Sequence, residues 1–325
     1  WDRARAELAS VPLSPRIIRI PEKDTPTGLF YRVELPAVEN TTIVGWYYVP
    51  RDAFDTNDKV LKKCPAIIIM PGHGAEEPPL DRTTSGIITL SLNPRNHGPS
   101  KEFWQSPVDH LLYTIADPEH YYYKLAVLDC LRGADFLFSR EEVDSTRVAA
   151  EGGSQGGYFA VAVAALDHRI ACAVSNVTAF SDYRDGVILG ITGHHSQFRK
   201  LLWETMDQTP RIVVPQMIWE AKENTSGTLI RKSLAYTDGA NLATRVRCPI
   251  QFNMGDQDPV CNAICGVVTY NKVPDGIAKE FNLLPDTKHE VPPSMREHNW
   301  RWLKKFLRLE QPNSATGFRI PNQAP

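Results

Sequence analysis

Short apolar runs alternate with helix-spaced ones along most of the chain. Runs at 29–35, 42–49, 65–70 and 87–92, separated by turn-rich pieces such as 50–58 and 71–79, predict strands in the opening third. Between 119 and 139 the apolar positions Tyr121, Leu125, Leu128, Leu131 and Phe138 recur at the steps of an amphipathic helix. A strand at 147–151, a helix at 155–166 and a strand at 170–174 follow. The 155–166 segment is apolar on every face, so that helix must be buried, here against the sheet. The last quarter repeats the alternation as strand 249–254, helix 260–271, strand 280–284 and a final helix. Ser294 and Glu297 have the spacing of a capping box at the start of that helix. Strand–helix alternation predicts an α/β fold, a mostly parallel sheet with helices on both faces, and the strand-rich front predicts an antiparallel edge.

Two segments break this rhythm. Residues 178–238 mix aromatics, His194, His195, Pro210 and Pro215, with no strand–helix unit that fits the sheet. They read as a cap-like insertion over the C-terminal edge of the sheet, where folds of this class bind ligands. Residues 311–325 are rich in Pro, Asn, Ser and Gly and read as a tail trailing on the surface. No internal repeat is present.

Composition narrows the class of protein. The 325 residues are 42% hydrophobic and 23% charged, ordinary globular usage that excludes a disordered, collagen-like or disulfide-stapled chain. The net charge of −2 offers no basic excess for nucleic acid or an anionic membrane. The best apolar stretch, 160–174, is interrupted by Asp167, His168 and Arg169, so no membrane span is expected. Residues 1–10 are charged and lack an apolar signal core, and Trp1 is not a start residue, which leaves the compartment open. Cys64, Cys130, Cys172, Cys248, Cys261 and Cys265 form no CxxC pair and no zinc-finger spacing, and read as buried apolar residues.

The chemistry centres on Gly152-Gly153-Ser154-Gln155-Gly156, a G-x-S-x-G sequence lying between a predicted strand and a predicted helix. A sharp strand-to-helix turn pushes the serine hydroxyl clear of the sheet and crowds its neighbours, which is why glycines flank it. A serine hydroxyl is a weak nucleophile and needs a base, and the base needs an orienting acid. In this fold the acid follows the serine in sequence and the histidine comes last. Asp256 and Asp258 both follow the strand 249–254. Asp258 is favoured because it sits one turn past the strand end, whereas Asp256 reads as a solvated turn residue. His289 stands between the last strand and the last helix, where the base belongs, while His298 falls inside the helix on its surface. An oxyanion hole needs two backbone amides. Gln155 supplies one and His73, in the turn Pro71-Gly72-His73-Gly74, the other. His73 has no partner at ligand spacing along the chain, so its amide rather than its ring is the expected contribution, and no metal or organic cofactor is implied.

These residues resemble carbohydrate esterase family 7, the acetyl xylan esterase and cephalosporin C deacetylase family of α/β-hydrolases. The resemblance runs from Val11-Pro12-Leu13 to the last helix. It is strongest over Asp117-Pro118 with Tyr121-Tyr122-Tyr123, through Val143-Asp144 and Arg147-Val148, into Gly152-Gly153-Ser154-Gln155-Gly156-Gly157. A second stretch is Leu234-Ala235-Tyr236-Thr237-Asp238-Gly239, ahead of the strand that delivers the acid. The family's G-x-x-D falls on Gly255 and Asp258, and its His-Glu pair on His289 and Glu290. The family's Arg-Gly-Gln-Gly becomes Arg95-Asn96-His97-Gly98, and His73 stands where the family often has an aromatic residue. The stretch 99–116 is short for the family and 178–238 is long.

The resemblance implies an α/β-hydrolase of one catalytic domain across 1–325. It also implies an acetylated sugar or oligosaccharide as substrate, with Trp203, Trp219 and Phe198 available to stack on sugar rings or to pack on the sheet. A ring-like homo-oligomer is implied as well, with pocket and interface both open to change by the altered loops. Competing readings are an oligopeptidase-like enzyme, which would carry a large extra domain, and a dienelactone-type hydrolase, which would carry cysteine where Ser154 stands. A catalytically silent binding protein on the same fold would not need all three triad residue types.

Overall fold

A computed structural model of the chain describes residues 1–184, 200 and 225–309. Most of the 178–238 insertion, including Phe198, Trp203 and Trp219, and the whole 311–325 tail lie outside the described residues.

The strands are β1 (Arg16–Arg19), β2 (Gly28–Ala37), β3 (Thr41–Pro50), β4 (Cys64–Met70), β5 (Ile88–Asn93), β6 (Val143–Gly153), β7 (Cys172–Asn176), β8 (Ile250–Gly255) and β9 (Lys279–Leu284). They form one sheet in the order β1-β2-β3-β5-β4-β6-β7-β8-β9. The pairings β1–β2, β2–β3 and β3–β5 are antiparallel, and every pairing from β5–β4 to β8–β9 is parallel. The antiparallel edge and the parallel body are therefore both as the hydrophobic pattern predicts.

Burial on both faces explains the continuous apolar runs. Along β4 and β6, Ala66, Ile68, Met70, Val148 and Ala150 pack on one side with helices α2 (Tyr122–Phe138) and α3 (Gln155–Leu166). Ile67, Ile69 and Ala149, one residue out of phase, pack on the other side with Trp302, Leu303 and Leu307. Period-two alternation splits each strand between two cores, so no position can be polar without cost. All twelve residues of α3 are buried, as its all-round apolar sequence requires.

Several boundaries differ from expectation, each for a local reason. Helix α1 (Asp2–Ser10) and strand β1 were not legible; α1 buries only Ala4 and Leu8 of its nine residues, too few for a periodic signal. Helix α2 begins at Tyr122 rather than 119, because Asp117 to His120 form a turn in which the Asp117 carboxylate accepts from the Glu119 amide. Part of the presumed irregular insertion is helical, as α4 (Thr225–Thr237), followed by α5 (Gly239–Ala243). Helix α6 is Ala263–Lys272, capped by the Asn262 side chain, so its start lies three residues later than 260.

The capping box at Ser294 and Glu297 does not form. The last helix, α7 (Pro293–Phe306), has its N-cap at Pro292, two residues before Ser294, and makes no side-chain cap bond. Proline at the first helical position has no amide to satisfy, so a cap gains little there. His298 is half-buried rather than on the open surface, with its Nδ1 enclosed. Among the described residues no helix is long and apolar enough to cross a membrane. The six cysteines are free and buried.

Candidate active site

The carboxyl ends of the parallel strands carry the chemistry-bearing residues, as open parallel sheets require. Ser154 sits between β6 and α3 at φ 59° and ψ −120°, a backbone state that a non-glycine residue rarely adopts. The turn is held from both sides: the Ser154 amide donates to the Asn176 carbonyl at 2.9 Å, and the Ser154 carbonyl accepts from the Ala179 amide at 3.2 Å. Glycine is compulsory at two positions. A Cβ on Gly152 would lie 2.4 Å from the Gly156 backbone, and one on Gly156 only 2.1 Å from the Met70 carbonyl oxygen. The motif therefore records the closeness of β4, β6 and α3, not flexibility.

Three residues from separate strand ends meet at this turn. His289 Nε2 lies 3.0 Å from Ser154 Oγ, and His289 Nδ1 lies 2.8 Å from Asp258 Oδ2. With Nδ1–H donating to the carboxylate, Nε2 keeps its lone pair for the serine hydroxyl proton. Asp258 is buried, and its other oxygen accepts from the amides of Val260 and Cys261, each at 2.8 Å. Its carboxylate thus cannot rotate away from the imidazole. Asp256 is exposed and its Oδ1 accepts from the Thr287 amide at 3.3 Å, a contact that ties the acid loop to the histidine loop. Gly255 allows these loops to touch, since a Cβ there would stand 2.2 Å from the Thr287 carbonyl oxygen. Cys261 Sγ stands 4.0 Å from Ser154 Oγ, and burial pushes that thiol up, so it remains protonated beside the serine.

Gln155 opens α3, where the first amides of a helix have no carbonyl to accept them and face the serine end. On the other side, Gly72 brings the loop after β4 against the serine: a Cβ on Gly72 would be 3.9 Å from Ser154 Cβ. His73 is the next residue, and its ring is exposed. The fold gives that ring neighbours that sequence spacing hides. Asp109 Oδ1 lies 3.6 Å from His73 Nε2, and the His110 ring lies 4.3 Å away, tilted by 40°. The expectation that His73 lacks potential metal-ligand partners is thus corrected: one ligand atom each from His73, Asp109 and His110 lies within 4.8 Å of the others. However, the Asn96 amide nitrogen donates to His110 Nδ1, and its carbonyl oxygen is fixed by the Ser106 amide. The His110 proton therefore resides on Nε2, and neither ring nitrogen offers a free lone pair. The cluster supplies two ligands and a donor, a poor cation cage.

Sequence reasoning did not assign the buried network behind Gln155. Tyr123 donates to Gln155 Oε1 at 2.8 Å, and Gln155 Nε2 donates to His97 Nε2 at 2.9 Å. His97 Nδ1 donates to the Arg95 carbonyl, which also accepts from Tyr122. Arg95 forks onto Asp129 through two bonds of 2.8 and 2.9 Å. Burial lowers His97 to about 3 and His110 to about 4, so both rings are neutral at physiological pH. The signal was present in Arg95-Asn96-His97-Gly98, where His97 takes the place of a glutamine and keeps an acceptor toward Gln155.

A serine turned out of a parallel sheet by a strand-to-helix elbow, with strands in this order, defines the α/β-hydrolase fold. The acetyl xylan esterase (AXE1) family matches residues 1–306, and the chain belongs to that family. It is 25% identical over 322 residues to the acetyl esterase Axe7A of Xylanibacter ruminicola, covering 95% of this chain and 66% of that one, just under two thirds of the relative's length. Among solved structures it is similar to the acetyl xylan esterase of Paenibacillus sp. R4, with TM-score 0.77, 25% identity, and 94% and 93% of the two chains covered. It also shares its fold with acetyl xylan esterase 1 of Thermoanaerobacterium sp. JW/SL YS485, with TM-score 0.78, 21% identity and 96% and 92% coverage.

Proposed function

We propose that the chain is a serine esterase that removes acetyl groups from the hydroxyls of acetylated carbohydrates. The observation that carries this reading is the pair of hydrogen bonds on His289, one to Ser154 and one to Asp258. In the proposed reaction Ser154 Oγ attacks the acetyl carbonyl carbon while His289 Nε2 takes the hydroxyl proton. Asp258 holds the imidazole tautomer and balances the imidazolium. The Gln155 and His73 amides receive the oxyanion. The sugar oxygen leaves with the proton from His289, giving an acetyl-enzyme. Water, deprotonated by the same imidazole, then releases acetate and restores the serine.

Family membership and the names of the relatives support acetyl as the acyl group and carbohydrate as the leaving group. We read the chain as one catalytic domain with 178–238 as a cap, because the strands leading to Ser154, Asp258 and His289 belong to one sheet. The test is acetate release from acetylated xylan and from p-nitrophenyl acetate by the wild type and Ser154→Ala. Loss of turnover by about 10⁴- to 10⁶-fold is expected for the variant; near-normal turnover removes Ser154 as nucleophile. Faster cleavage of long acyl esters than of acetyl would move the activity to lipid-like substrates.

A further inference from the structure

The opposite end of β6 carries a cavity of about 710 Å³, within the usual ~300–1,000 Å³ of small-molecule sites. Glu142, just before β6, lines it, and Ser154 stands just after that strand. Val143 and Gly152 of β6 pair with Cys64 and Met70 of β4, so at about 3.3 Å per residue of β4 the two ends lie roughly 20 Å apart, and the cavity shares no lining residue with the esterase site.

Its floor is a cross-strand ladder. Arg19 of β1 pairs with Tyr31 of β2, and Tyr31 pairs with Tyr47 of β3, so all three side chains stand on one face of the sheet. The Arg19 guanidinium covers the Tyr31 ring at 5.1 Å, and the Tyr31 and Tyr47 rings are 6.2 Å apart. Phe54 forms part of the wall in a loop that is fixed before any ligand arrives. There the Asp55 carboxylate accepts from the amides of Asn57 and Lys59, and Phe54 bridges to Val60.

The polar groups define the occupant. Each guanidinium lining the cavity already faces a carboxylate: Arg19 and Arg51 face Asp24, and Arg140 faces Glu142. An anion would find no spare positive charge. Glu142 is 2% exposed, and its Oε1 accepts from both Tyr47 and Arg140. Its Oε2 is buried with no hydrogen-bond partner among the described residues. A buried acceptor left unmade costs about 1–3 kcal/mol, so the site calls for a neutral donor. Aromatic faces beside fixed donors and an unpartnered acceptor fit a ring with C–H faces and hydroxyl edges.

We propose that this cavity is a non-catalytic binding site for a neutral β-linked pyranose oligosaccharide. It holds the sugar by stacking on Tyr31 and Phe54, by hydrogen bonds from the half-exposed Arg51 guanidinium to ring hydroxyls and by a hydroxyl donated to Glu142, and so tethers polymeric substrate to the enzyme. The choice of xylan as the polymer rests on the proposed acetyl xylan esterase activity; the cavity's affinity for sugar does not.

The test titrates xylotetraose and cellotetraose, both free of acetyl groups, into the full chain by calorimetry, alongside Phe54→Ala and Arg51→Ala. At least one sugar should bind, at least tenfold more weakly to each variant, with p-nitrophenyl acetate turnover unchanged. Deacetylation of acetylated xylan at low polymer concentration should fall in the same variants. Absence of binding by both sugars overturns the proposal, as does equal affinity of the wild type and Arg51→Ala, a surface change that leaves the fold intact. Failure of the esterase reading would appear separately, as wild type inactive toward p-nitrophenyl acetate.

Discussion

The two ends of β6 are built on different principles. At its carboxyl end, backbone crowding dictates residue identity: Gly152 and Gly156 have no space for a Cβ, and Ser154 is held at positive φ. At its amino end, Glu142 meets residues from β1, β2, β3 and the loop after β3, none of them sterically compelled. One end stores strain in a short segment, while the other gathers ordinary side chains from distant segments. The difference teaches where a sequence advertises a site: steric compulsion leaves a motif, and convergence across strands leaves none.

The sharpest way to break this comparison is to strike the catalytic end alone. Asp258→Asn should lower kcat for p-nitrophenyl acetate by about 10⁴-fold, because the wrong imidazole tautomer is favoured, with Asp256→Asn changing it by less than tenfold. The reverse ranking would exchange the acid. Sugar affinity at the far cavity should be unaffected by either change.

Steric compulsion itself is tested by Gly156→Ala. A methyl group 2.1 Å from the Met70 carbonyl oxygen has only backbone to displace, so urea unfolding should register a loss of about 3 kcal/mol or more. A loss under about 1 kcal/mol would mean that the elbow is looser than the geometry requires. Asp58→Asn, in the far cavity's wall, should cost almost nothing by the same measurement.

The smallest expected effect lies in pH dependence. His97 has a folded pKa of about 3 against roughly 6.5 unfolded. The unfolded chain therefore binds more protons between these values, and stability is lost as pH falls from 6.5 toward 3. From pH 7 to pH 5 this single ring accounts for about 2 kcal/mol. His97→Gln, which keeps an amide acceptor toward Gln155, should shrink the pH 7-to-5 stability difference by about that amount. His110, lowered to about 4, will keep part of the acid sensitivity in the variant. An unchanged acid limb would mean that His97 is accessible to protons in the folded state.

Legibility in the sequence followed the range of the forces involved. Strands β2 to β9 and helices α2, α3, α6 and α7 were readable within a few residues because burial on one or both faces imposes a period on the chain. Helix α1 and β1 were not, since each buries too little apolar surface. The Ser294–Glu297 pattern misled because Pro292 and Pro293 set the N-cap two residues earlier. His97 and Tyr123 were visible only as letters in a family-like stretch, and their grip on Gln155 depends on residues 32 and 58 positions away.

By itself the sequence determined the α/β architecture and the glycine-bound elbow around Ser154, because these rest on periodicity and on local sterics. The sequence favoured Asp258 over Asp256, and only the tertiary structure showed the Asp258 carboxylate 2.8 Å from His289 Nδ1. It alone brought Asp109 and His110 to His73, and a buried, unpartnered carboxylate oxygen of Glu142 to a cavity floored by Tyr31. Those outcomes depend on which strand ends and loops lie side by side, and no spacing along a chain carries that information.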